Sequence, residues 1–285
     1  MNDFVNLIVV SYNTQKQTRQ CLENLLRFTE VPHHIWVIDN GSTDGSKEML
    51  HTLQQQTNAH FTLLENEVNK GYSRAVNQVY GNLDRHGDIC YVNSDVYVGP
   101  EWAVRFQYHL AHDEQIAAVA PIGRGIGGKQ DAANYGAFAC TNAYDEQSLL
   151  AFNRRRSAAV PSAVTTKSLQ GTLLYIRRAA HEQIGGLDPG CECGADDADW
   201  CLRARLLGWK LIVALDTWVW HDDHRSFLQL PDRGIRVVDR SWRYFNQKWS
   251  GKFNNLSWAD LMENSLPSDY PFYQYEEFYT SKSAP

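Results

Sequence analysis

Two rhythms of apolar residues alternate along the first half of the chain. Leu7–Val10, His34–Ile38, Phe61–Leu64 and Ile89–Val92 are short runs of strand length. Between them lie stretches with helical spacing. Gln15–Phe28 sets Cys21, Leu22, Leu25 and Leu26 on one face, and Ser42–Gln54 and Lys70–Leu83 follow the same habit. Ser42, Thr43 and Asp44 suit a helix start, because their oxygens accept hydrogen bonds from its free N–H groups. Alternation of this kind predicts an α/β fold: a mostly parallel central sheet with right-handed crossovers, flanked by helices.

The pattern then loosens. Pro100 opens a helix over Glu101–Leu110, and Ile116–Ala120 reads as a strand. From Pro121 to Lys167 periodicity is lost and glycines gather. Gly123-Arg124-Gly125-Ile126-Gly127-Gly128 has the look of a phosphate loop, but no strand–helix frame surrounds it, so a flexible loop is expected. Leu169–Ile176 reads as a strand, Arg178–Ile184 as a helix stopped by Gly185-Gly186, and Asp196–Leu207 as a helix ended by Gly208. Lys210–Ala214 and Trp218–Trp220 read as short strands, and Ile235–Lys248 as a C-terminal helix. The expected organisation is one domain over residues 1–225, with a helical and aromatic extension over 226–285 packed on it.

Composition narrows the function classes. A net charge of −6 argues against a large nucleic-acid footprint, although Arg154-Arg155-Arg156 and Arg177-Arg178 are local basic patches, read first as solvated surface. No stretch approaches a membrane helix, and Met1-Asn2-Asp3-Phe4 lacks a basic leader, so a cytoplasmic protein is expected. The six cysteines form no paired zinc pattern, and Cys191-Glu192-Cys193 is too close for an ordinary disulfide. The nine tryptophans, many of them late in the chain, suit sugar stacking and core packing equally.

Four polar turns follow the first four strands on one edge of the expected sheet. They are Ser11-Tyr12-Asn13, Asp39-Asn40-Gly41-Ser42-Thr43-Asp44, Asn69-Lys70-Gly71-Tyr72 and Asn93-Ser94-Asp95. One such turn is ordinary turn chemistry, but four along the carboxyl edge of a parallel sheet make a crevice where ligands bind. Asp39 is placed to accept from a base N–H, Tyr12 to stack on the base, and Asp95 to reach a metal.

These segments resemble glycosyltransferase family 2, with the GT-A fold. Val9-Val10-Ser11-Tyr12-Asn13 is similar to the family's opening strand and turn, and Val37–Ser46 to its pyrimidine-binding segment. Asn69-Lys70-Gly71-Tyr72 through Asn77 resembles its third-loop motif. Asn93-Ser94-Asp95 falls where the family carries an Asp-x-Asp motif, with the first Asp replaced by Asn. Gly186-Leu187-Asp188, Asp196-Asp197-Ala198-Asp199 with Arg203, and His221 resemble later motifs, most of all those of the rhamnosyl- and galactofuranosyl-transferring branches.

The resemblance implies an inverting glycosyltransferase using a UDP- or dTDP-sugar and Mn²⁺ or Mg²⁺. It implies a glycan or lipid-linked saccharide as acceptor, with room for peripheral attachment at the inner membrane face. Asp197 is implied as the catalytic base, and Asp95 and His221 as metal ligands. Ser11, Tyr12, Asn13, Asp39, Asn40, Asn69, Gly71, Tyr72, Asn77, Asn93, Ser94, Asp95 and Gly171 are implied to hold the nucleotide sugar. A non-catalytic binding module on the same scaffold, and transfer to modified DNA or protein, are the competing readings.

Plainer explanations stand beside each residue. Acids opening a helix favour its macrodipole, and Asp199 points away from Asp197 and is placed to pair with Arg203 one turn on. Trp218 and Trp220 suit core packing. His224 is close enough to His221 to be a rival ligand.

Overall fold

A computed structural model describes residues 3–57, 61–135, 144–157, 162–222, 228–250, 252 and 278–280. The first half follows the predicted alternation. Strand β1 is Val5–Ser11, helix α1 Gln15–Phe28, β2 His33–Asp39, α2 Ser46–Gln56, β3 Phe61–Glu65, α3 Tyr72–Asn77 and β4 Asp88–Asn93. β1 pairs in parallel with both β2 and β4, and β2 with β3. All seven residues of β1 are buried, as expected for a strand covered on both faces.

Two helices are displaced or shortened for local reasons. α2 begins at Ser46, where the Asp44 carboxylate accepts from Ser46 N at 3.1 Å and from its Oγ at 2.6 Å. α3 stops at Asn77, well short of Leu83, because polar side chains there bond elsewhere. Asn77 grips the backbone of Leu187, and Gln78 pairs with Asn66 at 2.9 Å.

The second half departs further from the expectation. Beyond β4 come β5 Val96–Tyr97, α4 Trp102–His112, β6 Ile116–Arg124, α5 Glu146–Ser157, β7 Ser162–Thr166, β8 Leu173–Ile176, α6 Arg178–Ile184, α7 Asp196–Leu206, β9 Lys210–His221, α8 Ile235–Ser250 and β10 Phe278–Thr280. The sheet order is β10-β7-β9-β6-β8-β4-β1-β2-β3. Antiparallel neighbours β4–β8, β6–β8 and β7–β9 alternate here with the parallel pair β6–β9. The sheet is therefore parallel in its N-terminal half and mixed beyond.

The stretch expected to be a loop, 121–167, contains the end of β6, two short 3₁₀ turns, α5 and β7. β6 runs through Pro121 with a register shift between Pro121 and Ile122, which hides its period. The expected strand Leu169–Ile176 begins only at Leu173, and the two short strands after Lys210 are one. Trp218 and Trp220 are both buried in β9, with ring centroids 6.1 Å apart. Arg177 is not a solvated patch: its guanidinium donates to the carbonyls of Ile116 and Asp113 at the foot of β6.

α8 packs on α7. Phe245 and Trp249 bury against Cys191, Ala195, Ala198 and Leu202 in a cluster separate from the main core. At its edge Asp199, 0% exposed, accepts from Arg203 Nε at 2.8 Å, Lys248 Nζ at 2.6 Å and Trp249 Nε1 at 2.9 Å. Lys248 also reaches Asp188. A buried carboxylate with three charged or N–H donors is compensated. This arrangement ties the C-terminal helix to the helix that carries Asp197. No helix among the described residues is long and apolar enough to cross a membrane.

Candidate active site

A cavity of about 1400 Å³ opens at the carboxyl ends of β1, β2 and β4. Of the residues expected to bind a nucleotide sugar, Tyr12, Asn40, Asn69, Gly71, Tyr72, Asn93, Ser94, Asp95 and Gly171 line it. Asp197 and His221 line it too, as do Asp196, Gln130 and Arg205. Ser11, Asn13, Asp39 and Asn77 do not.

The turns hold one another. Asn13 adopts φ 50°, and its Oδ1 accepts from Thr43 N at 2.7 Å. Ser11 Oγ is buried and bonded to Thr18 Oγ1 at 2.9 Å. Asn40 Oδ1 accepts from Lys70 N at 3.1 Å, and its Nδ2 donates to Asn69 Oδ1 at 3.0 Å. Asn69 in turn receives Gly71 N at 2.9 Å. Gly71 has φ +82°, and a Cβ there would meet Glu192 Cγ at 2.6 Å, so only glycine lets the third turn and the 191–194 loop close together. Asn77 donates to Leu187 O at 2.7 Å and accepts from Leu187 N at 3.1 Å, which places it as a strap behind the cavity.

Asp39 ends β2 and is 0% exposed. Its Oδ2 accepts from Ser42 N at 3.0 Å. Its Oδ1 has no hydrogen-bond partner among the described residues. A buried carboxylate oxygen without a donor is costly.

Asp95 and His221 are brought together by strand pairing. β5 pairs antiparallel with the end of β9, setting Val96 opposite His221. Asp95 Oδ1 then lies 3.3 Å from His221 Nε2. His221 Nδ1 is 3.0 Å from the Gly125 carbonyl, which can only accept, so Nδ1 carries a proton and the ring is fixed with Nε2 toward Asp95. One carboxylate and one oriented imidazole suit a divalent cation such as Mn²⁺. Among the described residues no group of three or more His, Cys, Asp or Glu converges, so oxygens of a bound diphosphate or water would complete the shell. His224 lies outside the described residues.

Asp196 and Asp197 open α7 and line the same cavity. Asp196 Oδ1 accepts from Gly194 N at 2.7 Å. Asp197 Oδ2 accepts from Gly171 N at 2.9 Å and its Oδ1 from Ala198 N at 2.7 Å. Burial, then the neighbouring Asp197 charge, pushes Asp196 up to about 7. Burial also raises Asp197, against the pull of the Gly171 and Ala198 amides. A carboxyl raised in this way is better matched to taking up a proton near neutrality. Asp199 faces the other side of the helix and is spent on Arg203 and Lys248.

The sequence reading named neither Gln130 nor Arg205 nor the segment Thr165–Gln170, all of which line the cavity. A polar residue inside an apparently structureless stretch carries no sequence signal. Arg205 is buried and pushed down to about 10 by desolvation.

The family follows from comparison with known proteins. Residues 6–185 match the profile of Glycosyl transferase family 2, and the chain belongs to that family. A relative named N-acetylglucosaminyl-diphospho-decaprenol L-rhamnosyltransferase, from Mycobacterium tuberculosis, is 25% identical over 263 residues, 86% of this chain and 84% of its own. The mannosyltransferase PcManGT from Pyrobaculum calidifontis, solved with GDP-Man and Mn²⁺, is similar with a TM-score of 0.58 at 17% identity, covering 86% of this chain and 71% of that one. GalNAc-T7, solved with UDP, GalNAc and Mn²⁺, is similar with a TM-score of 0.61 at 17% identity, over 90% of this chain and 53% of its own. The fold is GT-A, and the protein is a glycosyltransferase.

Proposed function

We propose that the protein transfers a sugar from a UDP- or dTDP-sugar to a hydroxyl of a lipid-linked saccharide or glycan, with inversion at the anomeric carbon. One observation carries this reading: the Asp95–His221 pair and Asp197 line a single cavity. One cavity can thus take a leaving diphosphate at the pair and an attacking hydroxyl at Asp197.

The residues divide the work. The free Oδ1 of Asp39 would take the imide N–H of uracil or thymine, which supplies its missing partner. Tyr12 would stack on the base, while Asn40 and Asn69 hold the turns in register. Asp95 and His221 would hold Mn²⁺ or Mg²⁺, which supplies Lewis-acid stabilisation of diphosphate charge. Asp197, fixed by Gly171 N, takes the proton of the acceptor hydroxyl as its oxygen bonds to the anomeric carbon. The carbon–oxygen bond to the diphosphate breaks, and the leaving group keeps the electron pair. One base and one displacement invert the configuration. Ser11, Asn13 and Asn77 position the loops without touching the sugar nucleotide.

The M. tuberculosis relative, by its name, acts on a diphospholipid-linked N-acetylglucosamine. An acceptor of that type would bring this protein to the inner face of the membrane as a peripheral enzyme. A thermal-shift panel of nucleotides with and without Mn²⁺ tests the donor half. At about 100 Kd a uridine or thymidine diphosphate should stabilise the fold by about 2.7 kcal/mol. No shift with either pyrimidine would refute the reading.

A further inference from the structure

Three consecutive residues bond to three different parts of the site. Gln170 N donates to Gln130 Oε1 at 2.7 Å, and Gly171 N to Asp197 Oδ2 at 2.9 Å. The Thr172 carbonyl accepts from Asn93 N at 3.0 Å, and Asn93 ends β4 just before Asp95. Gln170 adds a bond from its side chain: its Oε1 accepts from Gly127 N at 3.2 Å. Backbone and side chain of one residue therefore grip both ends of the segment 127–130.

That segment leads directly to the metal pair. The Gly125 carbonyl accepts from His221 Nδ1 at 3.0 Å, and the intervening Ile126 is 2% exposed, which anchors the link in the core. His221 Nε2 stands 3.3 Å from Asp95 Oδ1. The contacts thus form a closed circuit. It runs from Asp95 through His221, the segment 125–127, Gln170 and Thr172 back to the end of β4, with Asp197 attached at Gly171.

His221 ends β9 and Asp197 opens α7, so no single element sets one against the other. Each is instead oriented by a backbone group: the Gly125 carbonyl holds the imidazole and the Gly171 N–H holds the carboxylate. Such outer partners fix the direction of the groups they bond. Gln170 is where the two supports meet. Its side chain is exposed, so burial in the core does not explain its place. We infer that Gln170 is a positioning residue: its paired bonds to Gly127 and Gln130 hold the support of His221 in register with the support of Asp197. The inference rests on the transfer reading above and adds the residue that joins its metal end to its base.

Gly127 gives an independent handle on the same contact. Its φ is −90°, which any residue adopts, but a Cβ there would meet Gln170 Nε2 at 2.8 Å. Gly127→Ala should therefore displace the Gln170 carboxamide without straining the backbone. Gln170→Ala removes that carboxamide and leaves the added methyl nothing to displace.

Two readouts on the full-length protein test the link, and neither needs an acceptor. Mn²⁺ affinity, by electron paramagnetic resonance with and without UDP, reports the His221 end. Deuterium exchange of the Gly171 amide, by NMR without metal, reports the Asp197 end. Gln170→Ala and Gly127→Ala should each weaken Mn²⁺ binding by about tenfold, the lower range for loss of an orienting partner. Each should speed Gly171 exchange by about the same factor. The double variant should match Gln170→Ala within about twofold, because both changes break one contact. Wild-type Mn²⁺ affinity in both single variants, a change in only one readout, or losses that add in the double variant would overturn the assignment. A wild type that binds UDP but no Mn²⁺ would overturn it too. Failure of the transfer reading would look different: a wild type that binds neither pyrimidine nucleotide, whatever the variants do.

Discussion

His221 Nε2 stands 3.3 Å from Asp95 Oδ1 because β5 sets Val96 opposite His221 across an antiparallel ladder. Activity should vanish in EDTA and return with Mn²⁺ or Mg²⁺. His221→Ala should cost roughly 10²-fold or more in turnover, the scale seen when one stabiliser of developing charge is removed. Metal titration by calorimetry should show the same loss. Full turnover in EDTA would contradict the metal assignment.

The orphan oxygen of Asp39 gives a base preference. UDP or dTDP should bind measurably, and GDP at least tenfold more weakly. Asp39→Ala should weaken pyrimidine nucleotide binding by about 1–3 kcal/mol, the cost of a lost buried partner. Isothermal titration of the three nucleotides checks both. Equal affinity for GDP and UDP would remove Asp39 from the base site.

Turnover should depend on pH through the acidic pair. Asp197 must be ionised to accept a proton, so the rate should fall as pH drops. Burial raises Asp197 above the ordinary carboxylate range, so the acid limb should lie above the pH of a free aspartate and belong to the Asp196–Asp197 pair. Asp197→Asn should abolish the limb together with most of the rate. A kcat/KM profile with no acid limb, or with one at the pH of an unperturbed aspartate, would contradict this.

The clamp between α8 and α7 predicts a stability effect without a chemical one. Lys248→Met strips one donor from the fully buried Asp199 and should cost about 3 kcal/mol. Burial opposes ionisation at Asp188 and Lys248. Their hydrogen bonds nevertheless hold Asp188 below and Lys248 above the ordinary range. The carboxylate part is lost as pH falls through the lowered Asp188 value, and the ammonium part as pH rises through the raised Lys248 value. The Tm gap between wild type and Lys248→Met should therefore be widest between about pH 5 and pH 10. A gap independent of pH would mean the loss is packing alone.

Much of one wall of the cavity was legible in the sequence. Each of its turns follows a short strand that reads as an apolar run in the sequence, so the polar residues Tyr12, Asn40, Asn69 and Asp95 mark the carboxyl edge directly. The far wall was not legible. β6 shifts register at Pro121, and α5 buries only part of a face interrupted by Arg154-Arg155-Arg156, so neither shows a clean period. Gln130 therefore sat in what read as loop. Asn77, whose motif position pointed to the ligand, bonds the backbone of Leu187. The Asp95–His221 contact depends on a two-residue strand, too short for any pattern to announce.

The account stands most directly on Asp197. General-base catalysis typically contributes about 10²–10⁴-fold. Asp197→Asn keeps the shape and the Ala198 contact but removes the proton acceptor, so turnover should fall within that range. Nucleotide affinity should stay nearly unchanged, and Asp199→Asn should affect turnover less. The deciding measurement is the anomeric configuration of the wild-type product, read by NMR, together with the Asp197→Asn rate. Inversion with a slowed variant is the predicted result. A retained anomer, or wild-type turnover in Asp197→Asn, would contradict both the single displacement and the residue assigned to it.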